Sequence, residues 1–597
     1  MAKRSELEHF PNLVTMFLTR ARETPDKPFL SAKIGEAWQA INYGEAARQI
    51  AALANSLKRL GLKKGDRVML VSENRPEWLM SDLAIMAAGG VSVPTYTTNT
   101  TRDHQHILAD SGAAMVIVSS QKMAAPLLPA VLMSPRCHHV ISIDDIITGQ
   151  SREVADFHHW HDLAEGGSEA DVAAIEADMA SVRRDDLACL IYTSGTGGAP
   201  RGVMQHHGMI LHNVAACVDV IANDFGWDDE VFLSFLPASH AYEHTGGQHF
   251  PVGLGAHIYF AQSLEKLAAN IEEVRPTIMV VVPRLFEMLR AKMIKTIEKE
   301  GGLPNYLLKR SLDIESRRHA EGGIGLQNMP MDGLLSLTLR KKVRKKFGGR
   351  MKAMVSGGAP LNSDVGLFFQ AMGLTMLQGY GQTEAGPVIS CNRPKAGIRV
   401  ESVGPPLLNT EVRIAEDGEI MVRGENVMQG YWQNPEATAK VLFPSDDEGG
   451  NWLATGDVGH IDEGGRIVIT DRKKDLIVND KGDNVSPQRV EGMLTLQPEI
   501  GQAMVYGDRR PHLVALLVAD PEETRAAKGD PETLRKMLSA AVDKVNADLS
   551  VIEKVRRFII ADEPFSVDNE MLTPSMKIRR HVIGAKYGEA LDALFKR

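Results

Sequence analysis

The chain has 597 residues, of which 44% are hydrophobic and 24% are charged, and its formal net charge is −9 at pH 7. This length exceeds what one hydrophobic core usually supports, so we expect at least two domains. The composition is that of a soluble globular protein and excludes bulk disorder. The negative charge disfavours a general nucleic-acid binder.

The sequence carries no targeting or membrane-spanning signal. Its N-terminal segment has no apolar core of signal-peptide length, and no run reaches the roughly 18 apolar residues of a membrane span. Cys137, Cys189, Cys217 and Cys391 form neither a CxxC pair nor a metal-ligand spacing, so we interpret them as buried thiols in a reducing compartment. These features predict a cytoplasmic protein.

A basic run, RKKVRKKFGGRMK, occupies residues 340–352. It is the best candidate in the chain for a peripheral contact with anionic lipid. Short basic runs are more often solvated helix faces, and the acidic balance of the whole chain favours that second interpretation.

The first third of the chain alternates between strand and helix patterns. Residues 42–62 have helical spacing, and Arg75-Pro76 opens a second helix, WLMSDLAIMAAGG. The apolar runs RVMLVS, VSVPTY, AAMVIVSS and HHVISIDD are of strand type. This alternation predicts a largely parallel sheet with helices on both faces.

A segment rich in glycine and hydroxyl side chains, TSGTGGAPRG, follows the apolar run that ends at Tyr192. Helical spacing resumes at His207, which predicts a strand-to-helix loop. Glycines let backbone N–H groups approach an anion, and hydroxyls and a guanidinium add donors. The residues with these properties are Thr193, Ser194, Gly195, Thr196, Gly197 and Arg201. The loop is therefore a candidate phosphate site, although it lacks the Walker spacing and an ordinary flexible loop is the alternative.

Histidines cluster in FLSFLPASHAYEHTGGQHF, residues 232–250. His240, Glu243, His244 and His249 raise the question of a metal site. Their spacing matches no HExxH pattern, and polar loop histidines are usually not ligands. We therefore do not predict a metal at these histidines.

Two further segments, SGGAP and QGYGQTE, each follow a predicted strand. Ligands of open parallel sheets lie at the carboxyl ends of strands, so a nucleotide is expected here. The residues concerned are Gly357, Gly358, Ala359, Gly379, Tyr380, Gly381, Thr383 and Glu384. Tyr380 can stack on a base, and Glu384 offers an oxygen ligand suited to Mg²⁺, with a helix N-terminal acid as the alternative.

From about Cys391 the pattern changes to short strands and turns. EVRIAEDGEIMV predicts a hairpin that turns at Asp417-Gly418. The last part of the chain has helical patterns at 487–496 and 531–548 and strands at QAMVYG and LVALLV.

Five segments in order resemble the motifs of the adenylate-forming enzymes, a superfamily that includes acyl-CoA synthetases, luciferases and peptide-synthetase adenylation domains. They are YTSGTGGAPRG, LPASHAYE, QGYGQTE, TGD with DRKKD, and LTPSMKIRR. Gly197 replaces a common Thr and Arg201 a common Lys. Arginine keeps the charge but is bulkier than lysine. The last segment is most similar to that of long-chain fatty acid–CoA ligases, and the resemblance covers nearly the whole chain.

The resemblance implies roles for individual residues. The loop residues and those of SGGAP and QGYGQTE would bind ATP, with Mg²⁺ held by Glu384 and Thr196. Asp457 and Arg472 would bind the ribose hydroxyls, and His240 would lie beside the acyl pocket. Acetate-activating relatives have Trp where this chain has Gly381, which implies a pocket open to longer chains. Lys474 would be the hinge, and Lys577 the lysine that reaches into the site for adenylation, although by itself it could be an exposed basic loop.

The implied fold is α/β. Residues 1–390 would form two doubly wound parallel-sheet subdomains and 391–471 a β-barrel-like subdomain of one adenylation domain. Residues 472–474 would be the hinge and 475–597 a mobile α+β domain.

The implied reaction activates a long-chain fatty acid with ATP and transfers it to CoA. Two alternatives share these motifs: an enzyme that hands acyl-AMP to a carrier protein, and a non-catalytic peripheral membrane protein that binds fatty acid or nucleotide. The sequence leaves the oligomeric state open, with a homodimer as one option.

Overall fold

The computed structural model describes residues 7–193, 199–445, 447, 449–481, 483–527, 530–566, 569–573 and 578–596. The strands, numbered along the chain, are β1 Pro28–Ile34, β2 Ala37–Asn42, β3 Arg67–Val71, β4 Val91–Pro94, β5 Met115–Val118, β6 His139–Ser142, β7 Asp156–His159, β8 Leu187–Thr193, β9 Arg201–His206, β10 Val231–Ser234, β11 His257–Phe260, β12 Ile278–Val281, β13 Ala353–Ser356, β14 Met376–Gly381, β15 Val388–Cys391, β16 Glu411–Ile414, β17 Glu419–Arg423, β18 Leu442–Phe443, β19 Trp452–Ile461, β20 Ile467–Arg472, β21 Ile477–Val478, β22 Asn484–Val485, β23 Ile500–Tyr506, β24 Leu513–Ala519 and β25 Val555–Ile560.

The α-helices, numbered in the same way, are α1 Leu13–Glu23, α2 Tyr43–Arg59, α3 Pro76–Ala87, α4 Thr101–Ser111, α5 Gln121–Leu132, α6 Trp160–Ala164, α7 Glu169–Met179, α8 His207–Asp224, α9 Ala241–Glu243, α10 Phe250–Leu254, α11 Leu267–Val274, α12 Pro283–Glu300, α13 Gly302–Glu321, α14 Met329–Leu337, α15 Leu339–Lys346, α16 Ser363–Ala371, α17 Pro435–Ala439, α18 Pro487–Thr495, α19 Pro521–Ala526, α20 Pro531–Asp548 and α21 Arg580–Ala593. A π-helix spans His244–His249.

Seven strands form the first sheet, in the order β7-β6-β5-β3-β4-β8-β9. All neighbours are parallel except the edge pair β8 and β9. Parallel neighbours need crossover connections, and α3, α4 and α5 supply them between β3 and β6. The strand and helix alternation predicted from the sequence is confirmed here.

Eight strands form the second sheet, in the order β15-β14-β13-β12-β10-β11-β1-β2. Its six inner strands are parallel, and the edge strands β2 and β15 are antiparallel to their neighbours. Together the two sheets confirm the α/β class, with antiparallel strands confined to the edges as in many mixed sheets.

A five-stranded antiparallel sheet follows, in which the long strand β19 pairs with β17, β18 and β20. β16 and β17 form the predicted hairpin, and Gly418 in its turn has φ +84°. Glycine suits this turn because a side chain would be strained at such a dihedral angle. The prediction of a β-rich region is confirmed. Among the described residues, its strands pair as an open sheet.

The C-terminal part has its own core. β23, β24 and β25 form a three-stranded sheet, and their apolar residues pack with those of α18, α20 and α21. Helix α20 spans Pro531–Asp548, as the sequence predicted. A separate core gives this part the means to fold and move as a unit.

The described contacts between this C-terminal part and the large sheets include one apolar contact and one ion pair. Leu496 packs against the apolar cluster of the second sheet, and Lys295 on α12 pairs with Glu522 on α19 at 2.6 Å. Both side chains of that ion pair are about 70% exposed (75% and 69%), so the pair adds little stability. None of the described helices is both long and apolar enough to cross a bilayer.

Candidate active site

The glycine-rich segment joins two antiparallel strands. β8 ends at Thr193, which pairs with Arg201 at the start of β9. The prediction of a direct strand-to-helix loop is therefore wrong, because β9 intervenes before α8 begins at His207. Antiparallel pairing sets Thr193 and Arg201 side by side at the base of the loop. The predicted loop residues Ser194, Gly195, Thr196 and Gly197 lie outside the described residues.

Arg201 contacts the site through an aromatic ring. Its guanidinium carbon lies 4.3 Å from the ring centre of Tyr431, a cation–π distance. The Tyr431 hydroxyl donates a hydrogen bond of 2.8 Å to Oε1 of Glu384. Burial, followed by the nearby carboxylate, raises the pKa of Tyr431, so its hydroxyl remains a donor. Sequence reasoning missed Tyr431; the signal was the aromatic pair that follows Gly430 in QGYW.

Glu384 lies in a three-residue 3₁₀ turn, Thr383–Ala385, directly after β14. Its backbone is fixed on both sides: Gln205 Nε2 donates to the Thr383 carbonyl at 2.8 Å, and Met428 N donates to the Glu384 carbonyl at 3.0 Å. The turn is too short to have the dipole that a helix N-terminal acid would serve. Among the described residues, Glu384 Oε2 makes no hydrogen bond, so it is a free oxygen of the kind that Mg²⁺ binds.

The glycines at the ends of β13 and β14 lie at one edge of the second sheet, because the two strands are parallel neighbours. Gly357 is buried, and a Cβ there would lie 2.8 Å from Cζ of Tyr242. Gly358 and Ala359 are exposed, and Gly358 has φ +82°. Gly379 would accept a Cβ at ordinary contact distance. The predicted position at the carboxyl ends of strands is therefore the observed one.

Gly381 lies so close to neighbouring backbone that there is no room for a side chain. A Cβ at this position would lie 1.8 Å from the carbonyl oxygen of Pro387. This close approach accounts for the missing side chain without reference to the acyl pocket. The implied pocket role of Gly381 stays a prediction, and a Trp substitution would displace backbone before it could test pocket length.

Tyr380, Asp457 and Arg472 form a second hydrogen-bonded group. The Tyr380 hydroxyl donates to Asp457 Oδ2 at 2.7 Å, and Arg472 Nε donates to Asp457 Oδ1 at 2.9 Å. Asp457 and Arg472 are cross-strand partners on β19 and β20, which places their side chains together. Each carboxylate oxygen keeps a further lone pair for a ribose hydroxyl.

The ring of Tyr380 is largely covered. The residue is 8% exposed and packs in one apolar cluster with Tyr431, so the two hydrogen-bonded groups share a core. Its role as a stacking platform for adenine stays a prediction.

His240 precedes the short helix α9 and caps it, because its Nδ1 accepts a hydrogen bond of 3.1 Å from Tyr242 N. Tyr242 in turn donates to the Val355 carbonyl and packs on Gly357, which connects His240 to the end of β13. Glu243 is buried and accepts from Ser234 at 2.6 Å. Burial raises the pKa of Glu243 to about 8, so this carboxyl is largely protonated at pH 7.

The structure places His244 and His249 on the π-helix that follows His240, with both imidazoles against Asp82 of α3. Each Nε2 lies 3.1 Å from Asp82 Oδ2, and all three residues are fully buried. Burial alone would raise the pKa of Asp82, but the two imidazoles outweigh it and lower that pKa. No sequence pattern pointed to Asp82, which lies 162 residues before His244.

The three groups are close enough to share a cation. Yet Nδ1 of His244 and Nδ1 of His249 have no partner among the described residues. Metal-bound histidines normally donate their second ring nitrogen to an acceptor. We therefore assign the cluster to hydrogen bonding that fixes the π-helix on α3.

The predicted hinge, Lys474, lies in an exposed turn directly after β20. Lys577 lies outside the described residues. The chain on either side of that segment is held: Leu572 and Ile578 form an antiparallel bridge, and Arg579 N donates to the Met571 carbonyl at 2.8 Å. Arg580 pairs with Glu491 of α18 at 2.6 Å. The described residues on either side of Lys577 are thus held against the C-terminal core.

Comparison with known proteins gives matches over most of the chain. The family model described as "AMP-binding enzyme" matches residues 17–432, and the model described as "AMP-binding enzyme C-terminal domain" matches residues 474–597.

Curated relatives match at modest identity. The long-chain-fatty-acid–CoA ligase FadD15 of Mycobacterium tuberculosis is 32% identical, over 98% of this chain and 97% of the relative. The chloroplastic long-chain-fatty-acid–[acyl-carrier-protein] ligase AEE15 of Arabidopsis thaliana is 30% identical, over 93% of this chain and 82% of the relative.

Among solved structures, the adenylation domain of a carboxylate reductase from Mycobacterium chelonae superposes with a TM-score of 0.76 at 22% identity, covering 100% of this chain and 93% of that one. MatB from Rhodopseudomonas palustris, solved with ATP bound, has a TM-score of 0.70 at 23% identity, with coverage of 97% and 100%. At these identities the superpositions show a common fold.

Proposed function

Because the chain belongs to the AMP-binding enzyme family, we propose that it activates a long-chain fatty acid with ATP to acyl-AMP, releases pyrophosphate, and then transfers the acyl group to CoA. The near full-length similarity to FadD15, which is named a long-chain-fatty-acid–CoA ligase, supports this choice of substrates.

One observation carries the proposal. Two chains of contacts, Arg201–Tyr431–Glu384 and Tyr380–Asp457–Arg472, join segments that are distant in sequence. They bring the β8–β9 hairpin, the end of β14 and the β19–β20 pair into one region. These are the positions at which the family resemblance implies phosphate, metal and ribose contacts. Distant segments of the chain therefore converge as a nucleotide site requires.

The first step makes a mixed anhydride. The fatty carboxylate attacks the α-phosphate of ATP, and charge accumulates on the phosphate oxygens. Arg201, in the first position of β9, would offset that charge, and Asp457 would accept the ribose hydroxyls. Mg²⁺ held by Glu384, and by Thr196 as the resemblance implies, would add positive charge at the phosphates. Lys577 would neutralise the developing charge from the C-terminal domain.

The second step forms the thioester, with CoA sulfur attacking the acyl carbonyl and AMP leaving. Lys577 has no use in this step, so the C-terminal domain would turn about Lys474 between the two steps. The weak Lys295–Glu522 contact would not oppose such a movement.

The test is the release of pyrophosphate and AMP from ATP across carboxylates from acetate to oleate, with and without CoA. We expect AMP release that depends on CoA and is greatest with long chains. Maximal release with acetate would refute the long-chain assignment, and absence of turnover would favour the non-catalytic binding protein.

A carrier-protein ligase is the second candidate, and it is favoured by the 30% identity to AEE15. Both candidates use the same adenylation step. Replacing CoA with acyl carrier protein in the same assay separates them, because only the ligase for that acceptor would form its thioester. We further propose a cytoplasmic location, in keeping with four free thiols.

A further inference from the structure

We propose that helices α14 and α15 dock this protein on an anionic lipid bilayer. This inference concerns the surface of the molecule and does not depend on the proposed reaction. It starts from the basic run at 340–352, whose interpretation from sequence alone favoured a solvated helix face.

The structure shows an apolar face that the sequence reading did not consider. Large apolar side chains that are about half exposed or more concentrate between residues 288 and 337. They are Met288 (58%), Leu303 (67%), Tyr306 (51%), Leu326 (86%), Met329 (54%), Leu334 (47%) and Leu337 (75%). The same structure buries most of its leucines, so this concentration in about 50 residues needs an explanation.

Three of these side chains lie on one face of α14. Met329, Leu334 and Leu337 lie within an arc of about 140° around the helix axis. The other exposed positions of that helix are Pro330 and Gly333. The outer face of α14 therefore has no charged group. An outward apolar stripe is the opposite of what a helix on a water-facing surface shows.

The next helix, α15, presents the basic side chains. Its inward positions are Leu339, Arg340 and Val343. The exposed positions are Lys341, Lys342, Arg344, Lys345 and Lys346. Among the described residues, Lys341, Lys345 and Lys346 form no ion pair, so their charge is available to an external anion.

Hydrogen bonds join the two helices to each other. Arg340 of α15 reaches back to Asp332 of α14 at 2.7 Å, and Arg344 Nη2 donates to the Ser336 carbonyl at 3.2 Å. An apolar stripe beside a cluster of unpaired lysines is the pattern of a helix that lies in the membrane interface.

The positive charge of this surface indicates which partner would bind it. The residues from 340 to 352 include eight basic and no acidic side chains in a chain whose net charge is −9. Arg340, Lys342 and Lys352 pair with carboxylates, and the other five form no ion pair among the described residues. A second copy of this surface would bring two basic helices together, and a nucleic acid would leave the apolar stripe in water. Anionic headgroups above a hydrocarbon layer match both features at once.

The test measures co-sedimentation of the full chain with vesicles of phosphatidylcholine alone or with 30% phosphatidylglycerol, without fatty acid, ATP or CoA. We expect binding to the anionic vesicles and little to the neutral ones. The double variant Lys341→Glu/Lys345→Glu should weaken that binding at least tenfold. The double variant Leu334→Ser/Leu337→Ser should also weaken it and should remove the binding that survives at high salt.

Matched controls are Lys122→Glu/Lys544→Glu and Leu264→Ser, which change exposed residues elsewhere on the molecule. They should bind as the unchanged protein does, and thermal unfolding should show that all variants are folded. Absence of binding to anionic vesicles, or equal loss in the controls, would overturn the proposal. So would binding to a DNA fragment without binding to vesicles.

Discussion

At the scale of single residues, the candidate site depends on side chains that position its carboxylates through hydrogen bonds. Tyr431 holds one oxygen of Glu384, the other oxygen has no hydrogen bond from any described residue, and Asp457 is oriented by Tyr380 and Arg472. Two predictions follow from individual hydrogen bonds and titrations.

The first concerns the hydroxyl of Tyr431. In Tyr431→Phe the ring remains under Arg201, but Glu384 loses its donor. A hydrogen bond to a charged acceptor is worth about 1.5–3 kcal/mol, so we expect kcat/KM for pyrophosphate release to fall at least about tenfold, with more Mg²⁺ needed for half-maximal rate. Tyr306→Phe, at an exposed ring, is the control. An unchanged Mg²⁺ requirement would contradict the role.

The second prediction concerns Glu243, whose pKa burial raises to about 8 from an ordinary 4.5. The folded state binds a proton that the unfolded state has lost at neutral pH. Stability therefore falls as pH rises towards the folded pKa, by about 1 kcal/mol between pH 7 and pH 9. In Glu243→Gln this part of the decline should disappear, as denaturant unfolding at both pH values would show. An identical decline in the variant would refute the assignment.

At the scale of elements, the structure differs from the sequence-based prediction at the strand β9 and at the π-helix. β9 is short and has only two apolar residues, Val203 and Met204, so the sequence pattern did not separate it from the loop predicted before α8. Asp82 is far from the π-helix in sequence but holds it through hydrogen bonds. A third prediction tests that contact.

Removing the carboxylate in Asp82→Asn would leave two buried imidazoles without their anion. A hydrogen bond to a charged group is worth about 1.5–3 kcal/mol, and we expect a loss of unfolding free energy of at least that size. Asp178→Asn removes an exposed partner of Lys58 and should cost less than about 1 kcal/mol. The Asp82 contribution holds above the ordinary pKa of 3.8 and is lost as pH falls below it. A cost no larger than that of the control would show that the cluster is not an anchor.

At the scale of the whole molecule, the question is how the C-terminal domain serves two reactions. Its separate core and its weak contact with α12 permit movement. The domain boundaries and the hinge remain predictions, which two variants address.

Lys474→Pro should slow thioester formation and leave adenylation mostly intact. The Lys474 N–H donates no hydrogen bond among the described residues, so proline would restrict only the dihedral freedom of the turn. Pulse experiments that measure acyl-AMP and acyl-CoA separately would show the split. Equal slowing of both steps would place the hinge elsewhere.

Lys577→Ala should abolish acyl-AMP formation but spare thioester formation from supplied acyl-AMP, because the lysine acts only in the first step. Both half-reactions are measured on the same preparation, and Lys586→Ala, an exposed lysine of α21, is the control. Equal loss of both steps would rule out the assigned role.

The α/β class, the hairpin at Gly418, helix α20 and the order of the motifs could all be predicted from the sequence alone. Periodicity, turn chemistry and short motifs are local properties, and each can be recognised without knowing the rest of the fold. Four features became visible only in the folded chain: Tyr431 supports Glu384, Asp82 anchors two histidines, Pro387 explains Gly381, and the outer face of α14 is apolar. Each of these depends on which distant residues meet or on which side of a helix is covered, and chain packing sets both.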